Sequence, residues 1–280
     1  MNTYVAGSGI RIEFATLSGQ GGRDYNEDAC GYWTSDGGAC FIVCDGAGGH
    51  GGGDVASETA VRTLLSAYST MPELSRQNIE RIITQTDVAI RYGQQLAGGL
   101  RKMSATVAAL FFDGDAQKAQ WSNLGDTRLY LIRKRHCRQL TKDHSVVQTF
   151  VDAGVISESE IRNHAKRNLL FAALGMGDGV PPAALETAFD IDDGDAFLIC
   201  TDGFWEVVLE TEMVDCLTRA DSAEEWLLQM EQLIQLRGTP LQDNYSALAV
   251  WVGRPNEITM PWPDQAVVAE RVAETSPGAA

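Results

Sequence analysis

Four acidic stations lie far apart along the chain, each beside glycine or asparagine: Asn26-Glu27-Asp28, Asp45-Gly46, Asp202-Gly203 and Asp243-Asn244. An aspartate next to glycine lets the backbone turn sharply, so that carboxylate and carbonyl oxygens can face one cation. Hard oxygen donors of this kind suit magnesium, manganese or calcium. If the stations converge, each carboxylate pair at about 4 Å repels by about 4 kcal/mol at an effective dielectric of about 20. Several such pairs rival a domain's whole stability of roughly 5–15 kcal/mol. Convergence would therefore make a bound divalent ion nearly obligatory.

The second station opens the run Asp45-Gly46-Ala47-Gly48-Gly49-His50-Gly51-Gly52-Gly53, between a buried strand and a helix. A phosphate loop is the first rival reading. It fails because the Gly-Lys-Ser/Thr element is absent and the leading aspartate would repel phosphate. A merely flexible loop is the other alternative.

Strand ends and helix starts must position these groups. Apolar runs bounded by turn residues at 10–17, 39–44, 104–112, 119–124, 128–132, 196–200 and 246–252 read as strands. Short turns such as Asp113-Gly114-Asp115 and Gly125-Asp126-Thr127 favour hairpins, hence mostly antiparallel sheets. Helical spacing appears over 54–68, with Asp54 as its expected N-cap, over 74–92, and over 222–236 behind Ser222. Between 141 and 170 the pattern turns short, polar and irregular, and a mobile flap is expected there. After Gly253 the composition shifts to proline, alanine and isolated charges, so 254–280 is expected to be a disordered tail.

The 280 residues are 44% hydrophobic, ordinary globular material for one sizeable domain. A net charge of −16 argues against a nucleic-acid surface, which needs clustered Lys and Arg. Neither a basic apolar leader nor a membrane-length apolar run is present, so a soluble cytoplasmic protein with no membrane contact is expected. The six cysteines show no zinc spacing and no CxxC pair, and are read as reduced and structural.

Arg23 to Ala29, Asp45 to Ser57, Gly125-Asp126-Thr127-Arg128, Thr201-Asp202-Gly203 and Asp243-Asn244 resemble, in order and separation, the motifs of the protein phosphatase 2C family. The match spans 19–252. The resemblance implies an α+β fold, a four-layer α-β-β-α sandwich of two mostly antiparallel sheets flanked by helices, with 1–253 as the catalytic domain. It implies a metal-dependent hydrolase for phosphoserine and phosphothreonine, acting as a monomer on phosphorylated proteins that a Ser/Thr kinase supplies. Two manganese or magnesium ions would be bridged by Asp45. Asp202 and Asp243 would bind the first ion, the Gly46 carbonyl the second, and Glu27 and Asp28 would hold metal-bound waters. Asp126 falls where bacterial members place a third ion, although Gly125-Asp126 could equally be only a hairpin turn.

Arg23 stands where the family keeps a phosphate-binding arginine, whose planar fork can hold two phosphate oxygens. His50 could protonate the leaving alkoxide or hydrogen-bond a metal-bound water, and a structural role in fixing the loop is the alternative. His136, His144 and His164 are read as surface or capping residues rather than ligands. Departures from the family pattern are Ala47 for a frequent methionine, Ser104-Ala105-Thr106 for Gly-Thr-Thr, and the lack of an arginine before Ala173-Leu174-Gly175. A catalytically silent phosphoprotein-binding regulator of the same fold is the rival function, against which the intact stations argue.

Overall fold

The computed structural model describes residues 2–7, 9–48, 52–114, 117–177 and 180–255. In chain order the elements are β1 (Asn2–Val5), β2 (Arg11–Gly19), β3 (Ala29–Ser35), β4 (Gly38–Cys44), β5 (Gly46–Ala47), α1 (Gly53–Thr70) and α2 (Arg76–Gly93). Then come β6 (Ser104–Ala105), β7 (Val107–Asp113), β8 (Lys118–Leu124), β9 (Arg128–Arg133), β10 (His136–Gln139) and α3 (Val146–Asp152). The chain continues through β11 (Ala183–Ala184), β12 (Phe189–Asp190), β13 (Ala196–Cys200), α4 (Asp202–Trp205), α5 (Glu210–Arg219), α6 (Ala223–Arg237) and β14 (Tyr245–Val252).

Alternation along the central strands explains the layering. In β4, Cys40, Ile42 and Cys44 face α1 and α2, whereas Ala39, Phe41 and Val43 face the other sheet. Strand β13 does the same in mirror fashion, sending Ala196, Leu198 and Cys200 towards α5 and α6 and Phe197 and Ile199 inward. Both faces are apolar, so these strands read as continuous hydrophobic runs although their side chains alternate. One sheet has the order β1-β2-β14-β13-β9-β10 and the other β11-β8-β7-β4-β3, with β12 also on β8. Every pairing is antiparallel. The sheets pack face to face, α1 and α2 cover one, and α5 and α6 cover the other. This is the α-β-β-α sandwich expected from the resemblance.

Several local expectations need correction. Gly125-Asp126-Thr127 is not a hairpin turn, because β8 lies in one sheet and β9 in the other. The turn carries the chain between layers. Asp54 does not cap α1: the helix starts at Gly53 with Gly52 at its N-cap and no side-chain cap from that residue. The Glu27 carboxylate instead accepts the Gly53 N–H at 3.0 Å, so a residue from the loop before β3 caps this end. The 141–170 excursion is bridged by Ser145 and Leu170 and is not irregular. It contains α3 and a 3₁₀ turn over Glu158–Asn163, anchored by buried Asp143, Ser145, Val147 and Ile161.

The cysteines are all free, in line with the reduced reading. Among the described residues no helix is long and apolar enough to cross a membrane. The expected tail lies outside the described residues, save Arg254 and Pro255.

Candidate active site

Strand register gathers the acidic stations at one end of the sandwich. Ala29 pairs with Cys44, which puts Asp28 before β3 beside Asp45 after β4. In the other sheet Cys200 pairs with both Ala247 and Arg128, and Tyr245 pairs with Gly19. Asp202, Asp243 and Asp126 therefore emerge at the same edge. A cleft of about 380 Å³ is lined there by Arg23, Glu27, Asp45, Gly46, Asp126, Asp202 and Asp243, together with Ser104, Asn168 and Asn244. Asp28 sits just behind, accepting the Thr201 hydroxyl at 3.0 Å. Every candidate residue named from sequence thus meets in one place, except His50, which lies outside the described residues.

Tight backbone crossings hold the frame. A Cβ on Gly46 would stand 2.1 Å from the Gly53 carbonyl and 2.5 Å from that of Glu27, so only glycine fits. Asn244 is buried and holds the loop between β2 and β3 at three points. Its amide donates to the Gln20 and Tyr25 carbonyls, and its Oδ1 accepts the Glu27 N–H at 2.9 Å. The loop bearing Arg23 is thereby fastened to β14. Thr106 accepts the Asp45 N–H at 3.0 Å and meets the Thr127 hydroxyl at 2.5 Å.

A second group holds Asp126. The Trp205 indole donates to the Asp126 carbonyl at 3.0 Å, and the Arg128 guanidinium lies 3.4 Å over that indole. Arg128 in turn forms a buried two-pronged pair with Asp143. His144 Nδ1 accepts the Gly125 N–H at 3.2 Å. This capping contact fits the reading of His144 as a non-ligand, although the ring is buried.

Sequence reasoning missed Thr106, Thr127, Thr201, Trp205, Asp143 and the bracing role of Asn244. Thr127, Thr201 and Asn244 stood within the motifs. The others pair across separations of 15 to 79 residues, which no local pattern signals.

The carboxylates share an unfavourable field. Burial, then the charges of Asp202, Asp28, Asp126 and Asp243, push Asp45 well above the usual range. Burial and neighbouring Asp202 and Asp143 raise Asp126. Asp202 is pushed up to about 7, chiefly by burial and then by Glu206 and Asp243. Asp28 also reaches about 7, burial outweighing its hydrogen bonds from Ser246 and Thr201.

Whether a cation fits can be tested on these atoms. Among the described residues Asp28 Oδ1 and Asp202 Oδ1 are buried oxygens without a hydrogen-bond partner, an arrangement that costs about 1–3 kcal/mol each, and more for a charged group, unless something else satisfies them. The surrounding donors are all hard oxygens, which match magnesium or manganese. Among the described residues no group of three His, Cys, Asp or Glu side chains is placed, as it stands, to hold a metal ion, so the fit rests on the donor chemistry and the orphaned oxygens. The groups ring an open cleft, a layout that leaves room for water and for a ligand beside a cation. The residues fit divalent ions.

At the cleft mouth Arg23 donates to Asp243 Oδ2 at 2.5 Å, and its side chain is about half exposed. A carboxylate-lined cleft with a single guanidinium at its rim, set at the end of a double-sheet sandwich, has the build of an enzyme centre for phosphate esters. Comparison with known proteins agrees. The family model for protein phosphatase 2C matches residues 21–237. The serine/threonine phosphatase stp of Listeria welshimeri is 36% identical over 222 residues, covering 77% of this chain and 86% of that protein. The crystal structure of the Mycobacterium tuberculosis serine/threonine phosphatase PstP/Ppp superposes with a TM-score of 0.76 at 27% identity, covering 87% of this chain and 99% of the other. A PstP catalytic domain crystallised with two manganese ions gives a TM-score of 0.74 at 28% identity, with the same coverage. The chain belongs to the protein phosphatase 2C family and is a protein phosphatase by class.

Proposed function

We propose that this chain hydrolyses phosphoserine and phosphothreonine in proteins, with manganese or magnesium ions held in the acidic cleft and residues 1–253 as the catalytic unit. The observation that carries this reading is the convergence of Asp45, Asp126, Asp202 and Asp243 in one cleft with two orphaned carboxylate oxygens beside it. The relatives named serine/threonine phosphatase, and the manganese-containing PstP domain, support it. When bound, a pair of such ions supplies Lewis acidity and a water that ionises near neutral pH.

This chain's own residues do the rest. Asp202 and Asp243 would help hold one ion and the Gly46 carbonyl the other, with Asp45 contributing to both, while Glu27 and Asp28 would hold water beside them. Asp126 would serve a third ion. Arg23 exchanges Asp243 for the substrate phosphate, gripping two of its oxygens as charge builds on the transferred group. The 141–170 excursion acts as the flap, with Asn168 and Leu170 lining the cleft.

Turnover of a phosphothreonine peptide with manganese tests the reading, with Asp45→Asn and Asp202→Asn as the inactive comparison. Failure of the unmodified protein to release phosphate would overturn it. Retained peptide binding in that case would install the silent regulator in its place.

A further inference from the structure

The catalytic cleft does not end at Arg23. A second hollow of about 250 Å³ opens from it, sharing Arg23, Asn168 and Asp243 and adding Arg167, Glu206, Val207, Thr239, Leu241 and Gln242. A substrate whose phosphate sits at Arg23 has chain to place on either side of it, and residues in an extended peptide advance only about 3.3–3.6 Å each. The hollow is where an adjacent residue would lie.

Its chemistry is selective. Among the described residues lining both hollows, Arg23 and Arg167 are the only cations, against Glu27, Asp45, Asp126, Asp202, Glu206 and Asp243. An anionic neighbour of the phosphoresidue is repelled everywhere except at Arg167. That guanidinium is already aimed: its Nε donates to Glu206 Oε1. The two terminal nitrogens make no hydrogen bond among the described residues, and the side chain is about one third exposed. A guanidinium has five donors in a fixed fork, so one edge held by Glu206 leaves the other edge open for a second anion. Glu206 is thus a positioning residue, and Arg167 need not leave it to bind substrate.

We propose that Arg167 selects substrates carrying an anionic group, a carboxylate or a second phosphate, one or two residues from the phosphoserine or phosphothreonine. The inference rests on the phosphatase reading above and deepens it. Four manganese-assayed phosphothreonine peptides that differ only at the flanking positions test it: aspartate, phosphoserine, alanine and lysine. p-Nitrophenyl phosphate, which has no flanking residue, reports the chemistry alone.

The unmodified protein should favour the aspartate or phosphoserine peptide over the lysine peptide by about tenfold or more in kcat/KM, and comparison of those two shows which anion it prefers. Arg167→Gln should abolish the preference for the anionic peptides and leave a modest one for lysine, and Arg167→Glu should strengthen that inversion. Equal kcat/KM for all four peptides in the unmodified protein, or a ratio that Arg167→Glu leaves in place, would overturn the subsite while p-nitrophenyl phosphate turnover keeps the phosphatase reading standing. Absence of turnover on every substrate would remove both.

Discussion

Asp45 is the residue on which the electrostatics of the cleft concentrate, since four other carboxylates raise its proton affinity after burial has done so. Replacing it with asparagine keeps the shape and removes the charge. Two opposite outcomes follow: kcat should fall on the order of 10²–10³-fold, as when one charge-stabilising group is removed, while the metal-free protein should become more stable because one source of repulsion is gone. Phosphopeptide assays and urea denaturation in chelator measure the pair. An Asp45→Asn protein that is less stable than its parent without metal would show that the carboxylates do not strain the fold. Arg23 makes a different case, because its value lies in fork geometry as well as charge. Arg23→Lys should retain the charge yet lose tenfold or so in kcat/KM for phosphopeptide, a lysine being unable to hold two oxygens in one plane. Equal kcat/KM for the two proteins would reduce Arg23 to a partner of Asp243.

At the scale of elements, the turn from β8 to β9 shows how far sequence could go. Its glycine and aspartate were legible as a turn, and Gly125 does take a positive φ of 109°. Nothing local said that the strands on either side belong to different layers, because that depends on which neighbours β7 and β13 already occupy. The long apolar strands, α1, α2 and α6 were readable from periodicity, and the acidic stations from their glycine neighbours. Strand β3 was not, since its half-buried residues include Gly31, where any Cβ would strike Val61 and Leu65 of α1. Helix α5 is short, with Met213, Cys216 and Leu217 as its only buried residues, too few for a firm helical period. His144 ties the excursion after β10 back to the Gly125 turn, and burial holds its imidazole below the ordinary pKa of 6.5. The fold therefore prefers the neutral ring, whereas the unfolded chain takes up the proton first. Its stabilising contribution is complete above about pH 6.5 and is lost as pH falls below that value through the lower folded pKa. His144→Ala should cost about 1–3 kcal/mol at neutral pH by stranding the Gly125 N–H. Urea midpoints should show that the gap from the unmodified protein narrows between about pH 7.5 and about pH 5.5. A gap independent of pH would exclude the neutral-ring contact.

For the molecule as a whole, the decisive fact is that the carboxylates proposed to hold the ions come from both sheets. Glu27, Asp28 and Asp45 flank β3 and β4, and Asp202 and Asp243 flank β13 and β14 of the other layer. No half of the sandwich holds the set, so cations bound there bind only the packed state and must raise global stability. At about 100 times its dissociation constant a ligand of this kind adds about 2.7 kcal/mol. For a chain of this size that corresponds to roughly 5–10 °C in Tm, taking about 2–4 °C per kcal/mol. Two substitutions separate this linkage from ordinary packing. Phe112 is buried between the sheets against Phe41 and Phe197, and Phe112→Ala should lower stability by about 3–5 kcal/mol. The manganese increment should survive in it, because the ends that hold the ligands still meet. In Asp45→Asn the baseline moves the other way and the increment should vanish. Calorimetry of the three proteins with chelator and with saturating manganese reads both quantities at once. An undiminished increment in Asp45→Asn would place the cation elsewhere on this acidic surface and detach the cleft from the chemistry assigned to it.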